Sequence, residues 1–162
     1  RVLFRSQNKI NFDSDFSLDK RLIRKSIEQF CRPKVYPNFL NNLLKTRPNK
    51  KIKKIGCTDS SDGLFQALQD LAIASNCKAI INYDKIPKDK NWPKGDKWDE
   101  YYFFGGEDYE LVFSLPAKWA KSLTKLDQNI NEIGFFTNGE PSIEFKDNKK
   151  NNLLDNTPFK HF

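Results

Sequence analysis

The sequence lacks methionine altogether and has one histidine and three cysteines in 162 residues. Because a complete translation product normally begins with methionine, a chain that begins at Arg1 is expected to be part of a longer protein. The histidine, His161, is the next-to-last residue, which argues against a Cys–His nucleophilic pair. The cysteines have no metal-binding spacing and are expected to be reduced, buried thiols of a cytosolic protein: Cys31, Cys57 and Cys77.

The sequence also lacks long apolar runs. No run approaches the ~20 residues that a helix needs to span a bilayer. No segment has the charged start, apolar middle and cleavage site of a signal peptide. These absences predict a soluble, cytoplasmic protein without a membrane partner. The length and the 38% hydrophobic content suffice for one domain with a real core, which argues against wholesale disorder.

The net charge of +7 invites a nucleic-acid-binding interpretation. The lysines, however, form short runs and scatter through loops, and no helix carries a basic stripe with interleaved aromatic residues. A charge-biased surface therefore explains the excess better than specific nucleic-acid recognition does. Non-specific binding of polyanions stays open as an alternative.

Helix-like and strand-like apolar spacings follow one another without a regular βαβ order, which predicts an α+β fold with a mixed β-sheet covered by helices. Helices are predicted over residues 18–30, where Ser17 is the N-cap, and over residues 36–44 and 64–72. A further helix is predicted to begin at Pro116, with the side chains of Trp119, Leu123 and Leu126 facing the core. The predicted strands cover residues 51–58, 77–83, 110–114, 130–136 and 142–145, with a turn at Asn138-Gly139 between the last two. The apolar faces of the first two helices, which include Ile27 and Phe30, are expected to pack into the core. The loop from Ile86 to Lys97 is either a substrate lid or a tolerated insertion.

An acidic turn, Asp59-Ser60-Ser61-Asp62-Gly63, joins a predicted strand to a predicted helix. If Ser61 or Asp62 caps that helix, the first backbone N–H groups of the helix point outward and can bind an anion. Carboxylates beside a phosphate need a divalent cation between them. Mg²⁺ suits such a corner because it takes one or two carboxylates together with waters and phosphate oxygens. The alternative is structural: Asp62 caps the helix and Asp59 closes the turn.

A second acidic segment, Gly105-Gly106-Glu107-Asp108-Tyr109-Glu110, runs into an apolar strand. Glu107 could accept hydrogen bonds from an amino group on a substrate, with Asp108 orienting it; a tight turn whose acids face water is the alternative. No P-loop and no GxGxxG motif occurs, which excludes the common nucleotide folds at the level of motifs. Together, the two acidic turns suggest a phosphate-handling enzyme.

Three segments resemble thiamine-monophosphate kinase: Asp59-Ser60-Ser61-Asp62-Gly63-Leu64, Gly105-Gly106-Glu107-Asp108-Tyr109-Glu110-Leu111 and the terminal His161-Phe162. They match the C-terminal half of that family, a domain shared with aminoimidazole ribonucleotide synthetase and selenophosphate synthetase. Arg32-Pro33 also fits the family's Arg-Pro segment after a helix. The resemblance covers essentially the whole chain in the expected order.

The resemblance implies ATP-dependent phosphorylation of thiamine monophosphate to thiamine diphosphate, by direct in-line transfer with several Mg²⁺ ions and no side-chain nucleophile. By position, the resemblance implies that Asp59 and Asp62 would be Mg²⁺ ligands, that Ser61 would contact a nucleotide phosphate and that Glu107 would contact the substrate. The family's aromatic substrate contact near the C-terminus falls on Asn156 in a simple alignment, and Phe159 lies nearby as the candidate.

The resemblance further implies a fold of the aminoimidazole ribonucleotide synthetase type, with a short helix over Trp98–Phe104. Residues 1–16 would be the residual segment after an absent N-terminal domain, and residues 17–162 would be the C-terminal α+β domain. The absent half would supply most Mg²⁺-binding aspartates, much of the ATP site and a homodimer interface, so the 162 residues alone are expected to be inactive. The alternative is a non-catalytic module of the same fold that binds phosphate ligands or nucleic acid.

Overall fold

The fold is seen in a computed structural model that describes residues 19–32, 38–48, 55–147 and 153–154. Helices and short strands follow one another as the α+β prediction requires. In chain order they are α1 (Lys20–Cys31), α2 (Phe39–Lys45), β1 (Gly56–Asp59), α3 (Leu64–Ser75), β2 (Cys77–Ile81), a 3-10 turn (Tyr83–Lys85), α4 (Asp96–Phe104), β3 (Leu111–Ser114), α5 (Ala117–Leu126), β4 (Gly134–Asn138) and β5 (Ser142–Phe145). No helix in these ranges is both long and apolar enough to cross a membrane.

The described strands form two small sheets, where the sequence predicted one mixed sheet. β1 and β3 pair antiparallel, from Gly56 opposite Ser114 to Asp59 opposite Leu111. In the second sheet β2 lies in the centre, antiparallel to β4 and parallel to β5. The α+β class is confirmed. Residues 139–141 connect β4 to β5 at the predicted Asn138-Gly139 turn, but the two strands do not pair with each other because β2 lies between them.

The main hydrophobic core joins α3 and α4 to the three-stranded sheet. Phe103 on α4 and Ala79 on β2 are both fully buried, at 0% exposure. The ring of Phe103 lies 5.0 Å from that of Phe145 on β5 and 5.7 Å from that of Phe65 on α3. This packing holds the end of α4 beside the start of α3, which is where the two acidic turns lie.

The loop between the 3-10 turn and α4 is anchored to this core. Ile86 and Trp92 are buried in it, and the Trp92 indole N–H donates to the Trp98 carbonyl oxygen at 3.3 Å. Lys88 forms an ion pair with Asp99 at 3.3 Å. These contacts make the loop a structural part of the domain and give no support to a substrate lid.

A second, smaller core lies between α2 and α5. It contains Leu43, Trp119 and Leu123, and the Trp119 indole N–H donates to the Leu43 carbonyl oxygen at 2.9 Å. The inward orientation predicted for Trp119 and Leu123 is confirmed. The same prediction for Leu126 is wrong: its side chain is 52% exposed, because α5 ends there and its last turn extends past this small core.

Helix α1 differs from its prediction in two ways. Asp19 caps it by accepting the Arg21 N–H at 2.8 Å, whereas the predicted cap, Ser17, lies outside the described residues. Leu22 is buried, but Ile27 and Phe30 are more than two-fifths exposed, so the predicted core face is wrong for the last two turns.

The cysteines also depart from expectation. Cys31, at the exposed end of α1, and Cys57, on the outer side of β1, are exposed, and Cys77 is half-buried. All three are free thiols, but the expectation that they are buried is wrong for Cys31 and Cys57. A position in a short edge strand or at a helix end leaves a side chain open to solvent even when the residue type favours burial.

Candidate functional site

The two acidic turns lie at the same end of the β1–β3 sheet. Asp59 ends β1, Leu111 begins β3, and these two residues are cross-strand partners. Residues 59–63 therefore leave the sheet where residues 105–110 enter it. We call these two turns together the acidic joint.

Hydrogen bonds between the two turns hold the acidic joint together. The Ser60 N–H donates to the Glu110 carbonyl oxygen at 2.9 Å, and the Glu110 N–H donates to the Ser60 hydroxyl oxygen at 3.2 Å. The Glu107 N–H donates to the Ser61 carbonyl oxygen at 2.5 Å. Residues that stand about 50 positions apart in the chain thus form one unit.

Two glycines permit this close approach. A Cβ on Gly106 would lie less than 3.0 Å from the Ser61 carbonyl oxygen, which real Cβ atoms do not tolerate. A Cβ on Gly63 would lie 2.6 Å from the Phe104 carbonyl oxygen, and the backbone of Gly63 has φ +98°, which disfavours other residues. Glycine at both positions is therefore a requirement of the joint itself.

Helix α3 begins within the joint, and its cap differs from the prediction. Gly63 is the N-cap, with no side-chain hydrogen bond, so the predicted cap by Ser61 or Asp62 is wrong. The Ser61 hydroxyl instead donates to Asp59 Oδ1 at 2.8 Å. The first turn of α3 brings the positive end of its dipole next to the acidic residues, an arrangement that favours anions.

The carboxylates of Asp59 and Asp62 are both exposed. Among the described residues no group of three or more His, Cys, Asp or Glu side chains could hold a metal ion. Two carboxylates nevertheless fit Mg²⁺, which commonly takes one or two protein carboxylates and fills its other positions with water and phosphate oxygens. Partial burial of the sulfur, and to a smaller extent the negative charge of Asp59, raises the pKa of the nearby Cys57 thiol.

The Gly105–Glu110 turn contains unusual backbone geometry. Glu107 has φ +66° and Tyr109 has φ +54°, both in the left-handed region. Each such residue costs ~1–2 kcal/mol relative to ordinary geometry. The side chains of both are exposed, and that of Asp108 is half-buried. Strained residues of this kind cluster at functional sites, so the geometry marks this turn as a candidate site.

The structure places Asp59, Ser61, Asp62 and Glu107 together in the acidic joint. The roles predicted for these residues stay predictions. Phe159 lies outside the described residues, as do the other C-terminal positions that carry the resemblance. Sequence reasoning assigned no role to Ser60, whose side chain is fully buried between the two turns.

A groove of about 690 Å³ lies elsewhere, between the 3-10 turn and the end of α5. Tyr83, Lys88, Thr124 and Glu132 are among its lining residues, and none of the lining residues belongs to the acidic joint. The carboxylates of the joint lie on an open surface instead, since Asp59, Asp62 and Glu107 are all exposed.

A helix N-terminus beside two exposed carboxylates is an arrangement that can bind a phosphate together with Mg²⁺. No family model matches the chain. Individual proteins do match it. The thiamine-monophosphate kinase of Prochlorococcus marinus is 37% identical over 123 residues, which are 76% of this chain and 37% of that protein. The thiamine-monophosphate kinase of Nitrosopumilus maritimus is 39% identical over 108 residues, 64% of this chain and 34% of that protein.

A solved structure is also similar. The crystal structure of thiamine-monophosphate kinase from Stenotrophomonas maltophilia shares 26% identity and a TM-score of 0.51 over 56% of this chain and 31% of that chain. The chain is therefore a relative of the thiamine-monophosphate kinases, and the resemblance predicted from its motifs is confirmed. It spans 34–37% of the length of the two curated relatives described above.

Proposed function

We propose that this chain forms one wall of the active site of a thiamine-monophosphate kinase. The reaction transfers the γ-phosphoryl group of ATP to thiamine monophosphate and yields ADP and thiamine diphosphate. A phosphate oxygen of thiamine monophosphate attacks the γ-phosphorus, and the bond from that phosphorus to the ADP oxygen breaks. The observation that carries the proposal is the hydrogen bond from the Glu107 N–H to the Ser61 carbonyl, because it joins the motif predicted to hold substrate to the motif predicted to hold nucleotide and metal.

The metal side of the site would consist of Asp59 and Asp62. Mg²⁺ bound there would neutralise charge on the phosphates during transfer. In the structure the Ser61 hydroxyl donates a hydrogen bond to Asp59 Oδ1. We infer that the Ser61 hydroxyl would donate to a nucleotide phosphate, with the first N–H groups of α3 close by.

The substrate side of the site would consist of Glu107, whose exposed carboxylate can accept hydrogen bonds from an amino group of the thiamine moiety. Phosphoryl transfer depends mostly on positioning and charge neutralisation, so no side chain of this chain needs to act as a nucleophile. The joint would keep the two reactants at a fixed separation. Phe159 stays a proposed second substrate contact.

The remainder of the site would lie in an N-terminal half of the same protein. We infer this because the chain spans 34–37% of the length of two curated kinases. That half would add further Mg²⁺ ligands, the opposite wall and the homodimer interface of a cytoplasmic enzyme. Residues 1–16 would follow it and residues 17–162 would form the C-terminal domain. The 162-residue chain alone is then expected to show no turnover.

The metal assignment is tested by isosteric substitution in the full-length protein. Asp59→Asn and Asp62→Asn should each raise the Mg²⁺ concentration for half-maximal turnover by about tenfold or more, because each removes one of the few anionic ligands. Asp70→Asn is the matched control, since Asp70 is an exposed carboxylate on α3 that bonds Gln66 outside the joint. Its Mg²⁺ dependence should equal that of the wild type.

Two results would contradict the proposal. Unchanged Mg²⁺ titrations in both aspartate variants would remove these residues from the metal site. Absence of thiamine monophosphate turnover, together with salt-sensitive binding of an oligonucleotide, would favour a binding module that uses the net charge of +7.

A further inference from the structure

Ser60 takes part in the pairing of β1 with β3 through its side chain. The antiparallel register pairs Asp59 with Leu111, so the next opposed residues are Ser60 and Glu110. The Ser60 N–H donates to the Glu110 carbonyl oxygen at 2.9 Å, as an antiparallel ladder requires. The return bond is different, because the Glu110 N–H donates at 3.2 Å to the Ser60 hydroxyl oxygen and not to the Ser60 carbonyl oxygen.

The Ser60 carbonyl oxygen is used elsewhere. It accepts the N–H of Gly63 at 3.0 Å, and this bond closes the turn that leads into α3. The hydroxyl therefore replaces the carbonyl as the ladder acceptor, so the chain can leave the strand while the Glu110 N–H keeps a partner. Ser60 is 0% exposed, which means that bulk water cannot take the place of the hydroxyl without rearrangement.

We propose that Ser60 is a positioning residue that fixes Glu107 relative to the Asp59–Gly63 turn and thereby sets the affinity for thiamine monophosphate. This inference rests on the proposed function. Loss of the hydroxyl would leave the 59–63 turn closed by its Gly63–Ser60 bond, whereas residues 105–110 would lose one of their bonds to it. The substrate side of the site should then change more than the nucleotide side.

Ser60→Ala is measured in two ways. In the full-length protein, amide hydrogen exchange of Glu107 and Glu110 should be faster than in the wild type by about tenfold or more, as expected for the loss of one buried hydrogen bond. The amides of β2, in the other sheet, should keep their wild-type rates. In the full-length protein, the KM for thiamine monophosphate should rise about tenfold while the KM for ATP changes less than about twofold.

Ser114→Ala is the matched control, because it removes a hydroxyl at the opposite end of the same strand pair. It should leave both KM values and the exchange rates of Glu107 and Glu110 unchanged. If Ser60→Ala does not fold, Ser60→Cys, which fills the site with a slightly larger thiol that accepts hydrogen bonds more weakly, should show the same pattern at smaller amplitude.

If the amides of Glu107 and Glu110 exchange at the wild-type rate in Ser60→Ala, the positioning role is wrong, whatever the turnover of the variant. Equal rises in both KM values would overturn it as well, because a general loss of structure would act on both substrates. Failure of the wild-type protein to phosphorylate thiamine monophosphate would contradict the proposed function, and hydrogen exchange would still decide whether Ser60 holds the two turns together.

Discussion

Gly106→Ala tests whether the acidic joint depends on close backbone contact. The added Cβ would lie less than 3.0 Å from the Ser61 carbonyl oxygen and 3.3 Å from Asp62 Cα. These are backbone atoms, which cannot swing aside as a flexible side chain can. The two turns must therefore move apart, and the bond from the Glu107 N–H to the Ser61 carbonyl must lengthen or break.

The expected loss of stability follows from these contacts. Forcing an extra carbon into a packed position costs ~1–3 kcal/mol, and loss of one hydrogen bond adds about 1 kcal/mol. A total of ~2–4 kcal/mol lowers the Tm of a chain of this size by about 4–16 °C. Thermal and urea unfolding of the 162-residue chain measure this loss.

Gly134→Ala supplies the matched comparison. Its Cβ would also lie less than 3.0 Å from a carbonyl oxygen, that of Ile80, but in the three-stranded sheet. Both variants should lose stability, and in the full-length protein, well below either Tm, only Gly106→Ala should raise the KM for thiamine monophosphate. If Gly106→Ala has wild-type stability, or if the KM changes equally in both variants, the acidic joint does not depend on the close backbone contact at Gly106.

Two further predictions concern parts of the fold outside the joint. Trp119→Phe removes the indole donor from the buried Leu43 carbonyl and should lower the free energy of unfolding by ~1–3 kcal/mol in urea titrations; an unchanged midpoint would contradict this. The hydrogen bond from Lys25 holds the pKa of Asp89 below its ordinary value, so the stability gained is present above the unfolded pKa of about 4 and is lost as pH falls through the lowered folded pKa. The stability difference between wild type and Asp89→Asn should therefore be constant near neutral pH and shrink in acid, and a pH-independent difference would contradict the assignment.

Local patterns in the sequence located most elements. The strand predicted over residues 142–145 coincides with β5, and the strand predicted over residues 110–114 differs from β3 by one residue. Residues 142–145 alternate polar and apolar side chains, and residues 111–113 are a short apolar run; polar residues or proline bound both, so their limits are set locally. The helix predicted over residues 64–72 starts where α3 starts, because Gly63 separates it from the turn.

Features that depend on distant residues were not predictable in the same way. The placement of β2 between β4 and β5 is a choice among possible strand pairings, and local spacing carries no information about it. The role of Ser60 arises from pairing with Glu110, fifty residues away. The exposure of Ile27 and Phe30 shows that an apolar helical face predicts burial only where another element covers it.

The two turns of the acidic joint were predictable from the sequence, but the cap of α3 within it was not. Each turn was recognisable from its carboxylates and glycines, which suit a cation and a close backbone approach. The cap of α3 was not, since Ser61 bonds to Asp59 in place of the helix. Side-chain hydroxyls have several acceptors within reach, and only the folded geometry selects one.

The central claim is tested most directly by following the γ-phosphate of labelled ATP in the full-length protein. Labelled thiamine diphosphate is expected only when Mg²⁺ and thiamine monophosphate are both present, and Glu107→Gln should raise the KM for thiamine monophosphate. Label that stays on ATP under these conditions, or that passes to an acceptor other than thiamine monophosphate, would contradict this claim.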